Sequence, residues 1–144
     1  MTCRRCESEK NLVYQDGIVK IYLSDQPVTL GHTILATAEP VATIEDMTEF
    51  EYLKVQSAIY HWTQLLKYTF CVDDVFILFM NHHKPEEKHL YWHLLPVSEA
   101  EKPGFRYNYT WFGQQTAAVN ARPESEHRKL TARAQKLLSQ TVIM

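Results

Sequence analysis

Cysteine and glycine are scarce in this chain, and long apolar runs are absent. Its 144 residues include three cysteines and four glycines. Three is an odd number and too few for a disulfide framework, so we interpret the cysteines as reduced thiols or metal ligands. No apolar run reaches the roughly 18 residues that cross a bilayer, and charged residues closely follow the first methionine. We therefore expect a cytoplasmic protein with no membrane segment.

The chain also lacks a strong excess of charge of either sign. It has 15 basic and 17 acidic residues, a formal net charge of -2 with neutral histidines. This balance argues against general nucleic-acid binding, although a local pocket for one anionic nucleotide stays open. The length predicts one domain over residues 1–144, with a core at 11–97 and an extension with a helix at 98–144.

The pattern of apolar residues predicts an α+β fold. β-branched and aromatic residues predict strands at 18–23 and 30–37, with 11–14 as a hairpin partner. Residues 75–80 are apolar on both faces, which is typical of a central strand covered on both sides. A capping box of Thr48 and Glu51 begins a long amphipathic helix that ends near residue 68, and a final helix begins at residue 123. These elements predict an antiparallel sheet of about five strands, one long helix and a C-terminal helix.

Residues 89–96 read His-Leu-Tyr-Trp-His-Leu-Leu-Pro, and they carry the most informative chemistry in the chain. In a strand, side chains alternate between faces, so His89, Tyr91 and His93 share one face. The apolar residues between them take the other face and enter a core. Alternation alone favours an ordinary half-buried strand whose histidines face water.

The same stretch resembles the motif of the histidine triad (HIT) superfamily, in which three histidines alternate with apolar residues along a strand, often before a proline. His89 and His93 fit the first and third histidines, and the apolar positions fit as well. Tyr91 stands at the middle position. In the family the middle histidine is the nucleophile that attacks the α-phosphate of a nucleotide, so this chain departs from the motif at the reacting atom.

Two more features resemble the family. The pattern Pro27-x-x-x-Gly31-His32-x-x-Leu35 is similar to a family strand whose histidine supports the triad through hydrogen bonds. Asn81 follows the apolar strand, where a family asparagine contacts the nucleotide. The resemblance spans about residues 16–96. It implies a nucleotide site whose candidate binding residues are Asn81, His32, His89 and His93.

The candidate catalytic residues are Tyr91, His93 and His89. A histidine nucleophile works because neutral imidazole is abundant near pH 7 and because water can hydrolyse the nucleotidyl-histidine phosphoramidate that it forms. A phenol of ordinary pKa, about 10, is only about one part in a thousand ionised at pH 7. We therefore predict impaired covalent catalysis, with Tyr91 as an unusual nucleophile or His93 activating water as the remaining routes.

The loop at residues 82–88 also differs from the family, whose longer loop contains glycine and lines the phosphate. Here it contains neither glycine nor serine, and its glutamates would repel an anionic ligand if they pointed inward. His82, His83 and Lys84 could supply donors to phosphate in compensation. A solvated hairpin explains the same residues.

Cys3 and Cys6 have a spacing that suits two thiolate ligands of one zinc ion, and two free thiols explain it equally. In relatives such a pair is completed by a histidine after the second strand and by the first triad histidine. Pro40 stands at the former position in this chain, and His89 at the latter. The resemblance thus predicts zinc bound by Cys3, Cys6 and His89, with His82 or His83 as substitutes for the lost ligand.

Three functions stay open for this sequence. The first is a nucleotide hydrolase or transferase acting on phosphoesters or phosphoramidates, whose partner is AMP or an adenylylated compound. The second is a non-catalytic nucleotide-binding or protein-interaction module on the same scaffold. The third is a metal-binding protein. Family members pair through the long helix and the apolar strand, so the resemblance also predicts a homodimer, and the aromatic residues at 105–112 suit packing or a subunit interface.

Overall fold

A computed structural model of the protein describes residues 11–80, 89–101, 114, 115, 118, 119 and 121–142. The described strands are β1 (Leu12–Gln15), β2 (Val19–Leu23), β3 (Thr33–Thr37), β4 (Asp74–Met80) and β5 (Tyr91–Val97). The helices are a short 3-10 helix (Ile44–Asp46), α1 (Glu49–Phe70) and α2 (Glu124–Val142). No helix in these ranges is both long and apolar enough to span a membrane.

The five strands form one sheet in the order β1-β2-β3-β5-β4, and every neighbouring pair is antiparallel. β3 and β5 lie side by side near the middle, although α1 and β4 separate them along the chain. The prediction of an α+β fold with a five-stranded antiparallel sheet, a long helix and a C-terminal helix is confirmed.

Helix α1 begins at a signal that its sequence carries. Thr48 accepts a hydrogen bond from the Glu51 amide, and the Glu51 carboxylate accepts one from the Thr48 amide, so the predicted capping box forms. Cys71, in the left-handed conformation with φ 52°, ends the helix. The buried side chains of α1 lie at spacings of three and four, as in an amphipathic helix; they are Val55, Ile59, Trp62 and Leu66.

The main core lies between α1 and one face of the sheet. Each strand contributes the residues that alternate toward the helices, among them Ile21, Leu35 and Leu94, which are fully buried. Helix α2 adds Ala134 and Leu138 to this core. The opposite face of the sheet therefore presents the other set of side chains, to which Tyr91 and His93 belong.

Helix α2 is also tied to the loop between β2 and β3. The Thr131 hydroxyl donates to the carbonyl of Ser24 at 3.3 Å, and Arg122, just before the helix, donates to the carbonyl of Pro27 at 3.1 Å. The described part of the C-terminal extension thus contacts the loop that leads into β3.

The prediction that residues 75–80 form a central strand covered on both sides is wrong within the described chain. β4 lies at the end of the sheet order, and Ile77 keeps 44% of its surface exposed. The apolar composition was correctly assigned to a strand, but the position in the sheet depends on pairings that composition does not encode. An exposed apolar edge strand is unusual, because its unpaired backbone groups can recruit another strand.

Candidate functional site

Strand β5 places Tyr91 and His93 on the face of the sheet away from the main core. Trp92 and Leu94 take the other face and are 4% and 0% exposed. Across the sheet Tyr91 pairs with Ala36 on β3, and His93 pairs with Ile34. The predicted alternation of this stretch is therefore present from Tyr91 onward.

Tyr91 and His93 lie close together on that face. Their ring centroids are 5.5 Å apart, with the ring planes nearly perpendicular. Tyr91 is 6% exposed and packs with Tyr22, Ile34 and Ala36. Apolar side chains thus surround the predicted nucleophile position, and the small Ala36 lies opposite it.

His32, just before β3, contacts His93 directly. The Nε2 atom of His32 lies 2.8 Å from the Nδ1 atom of His93. The other ring nitrogen of His32, Nδ1, accepts a hydrogen bond from the backbone N–H of Val28 at 3.1 Å. Because Nδ1 accepts this hydrogen bond, it carries no proton. A neutral His32 therefore has its proton on Nε2, and the Nε2–H group donates a hydrogen bond to His93.

This arrangement fixes the protonation pattern of both rings. The pKa of His32 lies well below its ordinary value of 6.5, first because burial disfavours the charged ring and second because His93 is close. His93 Nδ1 is then an acceptor, so a neutral His93 carries its proton on Nε2. His93 is the more exposed ring of the two and can offer an Nε2–H group as a hydrogen-bond donor.

His89 lies before β5 rather than within it, so the predicted strand begins two residues later than expected. Its ring is fully buried, and Nδ1 donates to the backbone carbonyl of Thr37 at 2.7 Å. A carbonyl oxygen only accepts, so Nδ1 carries the proton in a neutral ring and Nε2 is the basic atom. The backbone of Thr37 also donates to the carbonyl of Leu90 at 3.0 Å, which fixes this segment against β3.

A second apolar cluster lies on the same face of the sheet. Val28, Leu95 and Val119 are buried there, with Phe76 packed against them. Val119 comes from the extension at 98–144, and no motif in the sequence pointed to this residue. The sequence also did not predict that the N–H of Val28 and the carbonyl of Thr37 bind the histidine rings. Every residue type except proline has both backbone groups, so residue identity does not reveal such a role.

Several candidates from the sequence lie outside the described residues. These are Asn81, Cys3, Cys6, His82, His83 and the aromatic stretch at 105–112. In the ranges that are described, no group of three histidine, cysteine, aspartate or glutamate side chains could hold a metal ion. Pro40 is exposed and offers no side-chain ligand.

Comparison with known proteins identifies a family signature in the chain. The HIT domain model matches residues 5–100, which is more than half of the sequence. No curated protein sequence matched the chain.

Solved structures share the fold at low sequence identity. A Hit-like protein involved in cell-cycle regulation from Bartonella henselae is 19% identical, with a TM-score of 0.58, covering 81% of this chain and 89% of its own. A diadenosine triphosphate hydrolase from Plasmodium falciparum is 12% identical, with a TM-score of 0.65 and coverages of 92% and 77%. A zinc-bound histidine triad family protein from Mycobacterium smegmatis is 17% identical, with a TM-score of 0.56, and each chain covers 96% of the other.

Proposed function

This chain belongs to the HIT domain family, and on that premise we propose that it is a nucleotide-binding protein of the phosphoester or phosphoramidate hydrolase and transferase type. Its ligand is AMP or an adenylylated compound. Tyr91 stands where the family has its nucleophilic histidine, so binding is retained and covalent catalysis is slow.

The observation that carries this proposal is the hydrogen bond from His32 to His93. It leaves His93 with a proton on Nε2, and that N–H can donate to a phosphate oxygen. A phosphate group needs donors, and a ring held by a buried partner offers one in a fixed direction. Asn81 completes the proposed nucleotide contacts by its match to the family motif, whereas the fully buried His89 ring is assigned to the metal.

The same hydrogen bond weakens the catalytic routes. A nucleophilic Tyr91 needs a base to take its phenol proton, and the Nδ1 atom of His93 already accepts from His32. The remaining nitrogen of a neutral His93 carries a proton and is a donor, so it does not activate water in this tautomer. These two features support slow turnover rather than efficient covalent catalysis.

The surroundings of Tyr91 suit the uncharged part of a nucleotide. Tyr22, Ile34 and Ala36 form an apolar surface beside the two rings. A nucleoside has flat apolar faces that pack on such a surface, while the phosphate binds the polar donors. The fold shared with a diadenosine triphosphate hydrolase makes dinucleoside polyphosphates a reasonable second class of test ligand.

Zinc is the proposed metal, bound by Cys3, Cys6 and His89. Of the three proposed ligands, His89 alone lies in the described part of the chain. Its Nδ1 atom donates to the Thr37 carbonyl, an arrangement common in metal-binding histidines, and Nε2 is the atom that would bind. Such a zinc would supply structural cross-linking of the N-terminus to the sheet rather than a step of the reaction.

We further propose a homodimer formed by α1 and β4. Large apolar side chains remain exposed along α1 opposite its buried stripe; they are Phe50, Leu53, Tyr60 and Tyr68, between 58% and 68% exposed. Ile77 on the edge strand β4 is also exposed, at 44%. A helix with apolar residues on two faces has a second surface to bury. The outer edge of β4 pairs with no other described strand, and it can pair with a second copy.

Calorimetric titration with AMP tests the proposed function. The wild-type protein should bind AMP, and His93→Ala should weaken binding by about tenfold, the effect of losing one hydrogen bond to a charged group. His61→Ala, which removes an exposed histidine on α1, serves as the control and should bind as wild type does. A wild-type protein that binds neither AMP nor a dinucleoside polyphosphate contradicts the proposal and favours the interaction module.

A further inference from the structure

We propose that Arg122 is a positioning residue for His93, acting through the peptide group between residues 27 and 28 and through His32. The consequence for nucleotide binding rests on the function proposed above, whereas the hydrogen-bond relay itself does not. Arg122 lies in the C-terminal extension, outside every motif that the sequence offered.

The relay consists of three hydrogen bonds in series. Arg122 Nη1 donates to the carbonyl oxygen of Pro27 at 3.1 Å. The N–H of the same peptide group, that of Val28, donates to His32 Nδ1 at 3.1 Å. His32 Nε2 donates to His93 Nδ1 at 2.8 Å. All three bonds point the same way, from the guanidinium of Arg122 to the ring of His93, which would contact the phosphate.

The peptide group at the centre couples the two ends because it is planar and conjugated. A charged donor on its oxygen draws electron density away from its nitrogen, and this makes the N–H of Val28 a stronger donor. An arginine suits this role because a guanidinium is planar and presents several N–H donors in a fixed geometry. A stronger Val28 donor holds His32 Nδ1 free of a proton, and His32 then donates from Nε2 to His93.

Burial protects the hydrogen bonds of the relay from competition by water. Pro27 is buried, Val28 is 7% exposed and His32 is 3% exposed, so water competes little for these groups. The Arg122 side chain is 25% exposed, and its Nε lies 3.8 Å from a carboxylate oxygen of Glu126 one turn along α2. The guanidinium is therefore held from one side by Glu126 while it reaches the Pro27 carbonyl.

A purely structural role for Arg122 would be to fasten α2 to the loop between β2 and β3. Thr131 makes a comparable fastening, since its hydroxyl donates to the carbonyl of Ser24 at 3.3 Å. The amide of Ser24 donates to the backbone carbonyl of His32 at 3.0 Å, but the Thr131 bond contacts neither the peptide between residues 27 and 28 nor the His32 ring. Thr131→Val is therefore a matched control that loosens the helix without breaking the relay.

Nitrogen-15 NMR of the imidazole and amide groups tests the relay without any ligand. In wild type, His32 and His93 should each show a protonated Nε2 and a bare Nδ1, with a His32 Nε2 proton protected from solvent exchange. Arg122→Met, which keeps an apolar stem, should move the Val28 amide proton upfield and speed exchange of the His32 Nε2 proton. Arg122→Lys should restore part of both signals, and Thr131→Val should leave both as in wild type.

Titration of the same four proteins with AMP tests the functional consequence. Arg122→Met should weaken AMP binding by about threefold to tenfold, and Arg122→Lys should recover part of the loss. Unchanged His32 and Val28 signals in a folded Arg122→Met protein would overturn the relay, as would equal changes in Thr131→Val. If the NMR signals respond as expected but wild type does not bind AMP, the relay stands and the proposed function fails.

Discussion

Gly31 lies directly against the ring of Phe70. A Cβ atom on Gly31 would come within 2.5 Å of the Phe70 ring, and the φ angle of Gly31 is +88°, in a region that residues with side chains rarely adopt. Phe70 ends α1, and Gly31 precedes His32. The helix therefore approaches the backbone at the residue next to the supporting histidine, and a side chain there would disturb both.

Replacing Gly31 by alanine should destabilise the protein by about 2–4 kcal/mol, because the unfavourable backbone conformation and the collision with Phe70 add together. Gly17→Ala is the control, since nothing lies within 4 Å of a Cβ there, and it should change stability by less than about 1 kcal/mol. Chemical denaturation of both variants measures the difference. Equal stability of the two variants would show that Phe70 and the loop adjust without cost.

The buried His32 should make the folded protein less stable in mild acid. The pKa of His32 is well below 6.5 in the folded chain and has its ordinary value, about 6.5, in the unfolded chain. At a pH between the folded and the unfolded pKa, the unfolded chain takes up a proton that the folded chain does not. This effect is absent above about pH 6.5. As the pH is lowered below 6.5, the free energy of unfolding decreases by up to about 1.4 kcal/mol per pH unit until the pKa of the folded chain is reached. NMR titration of the His32 ring checks the cause: a midpoint near 6.5 contradicts it.

Charging the exposed face of α1 should dissociate the proposed dimer. Leu53 and Tyr60 are 58% and 62% exposed in the single chain, so lysine at both positions leaves the chain folded and opposes pairing. Gln15 and Gln26, two other exposed residues, provide a control with the same added charge when both become lysine. Sedimentation should give a dimer for wild type and control, and a monomer for the first variant. A monomeric wild type rejects this interface.

Metal analysis tests the zinc prediction. Purified wild type should contain about one zinc per chain, and Cys3→Ser combined with Cys6→Ser should remove it. Cys71 is an exposed free cysteine at the end of α1, so Cys71→Ser controls for loss of any thiol and should keep the zinc. Zinc that is absent from wild type, or retained by the double variant, contradicts the proposed ligands.

The sequence predicted the elements of the fold because their signals are local. The capping box at Thr48 and the spacing of Val55, Ile59 and Trp62 specify α1 without reference to the rest of the chain. Alternation through Trp92 specifies which face of β5 is buried. The edge position of β4 was missed because an apolar strand has the same composition whether it lies in the middle or at the edge of a sheet.

The site was predictable only in part. Tyr91 and His93 follow from the alternating motif, and His32 follows from a resemblance that spans distant segments. The hydrogen bonds that fix the rings come from the backbone of Val28 and Thr37, which any residue type could supply. Nothing local in the sequence links residues so far apart, so the sequence does not predict which ring nitrogens donate.

The central claim, a HIT-type nucleotide site slowed by Tyr91, is tested most directly by release of AMP from adenosine 5′-phosphoramidate and from a dinucleoside polyphosphate. Wild type should react slowly, and Tyr91→His should release AMP at least about a hundredfold faster, since replacing a nucleophile can cost far more than that. Tyr91→Phe keeps the ring without the hydroxyl and should match wild type. Fast release by wild type that Tyr91→Phe abolishes would contradict the claim and make Tyr91 the nucleophile.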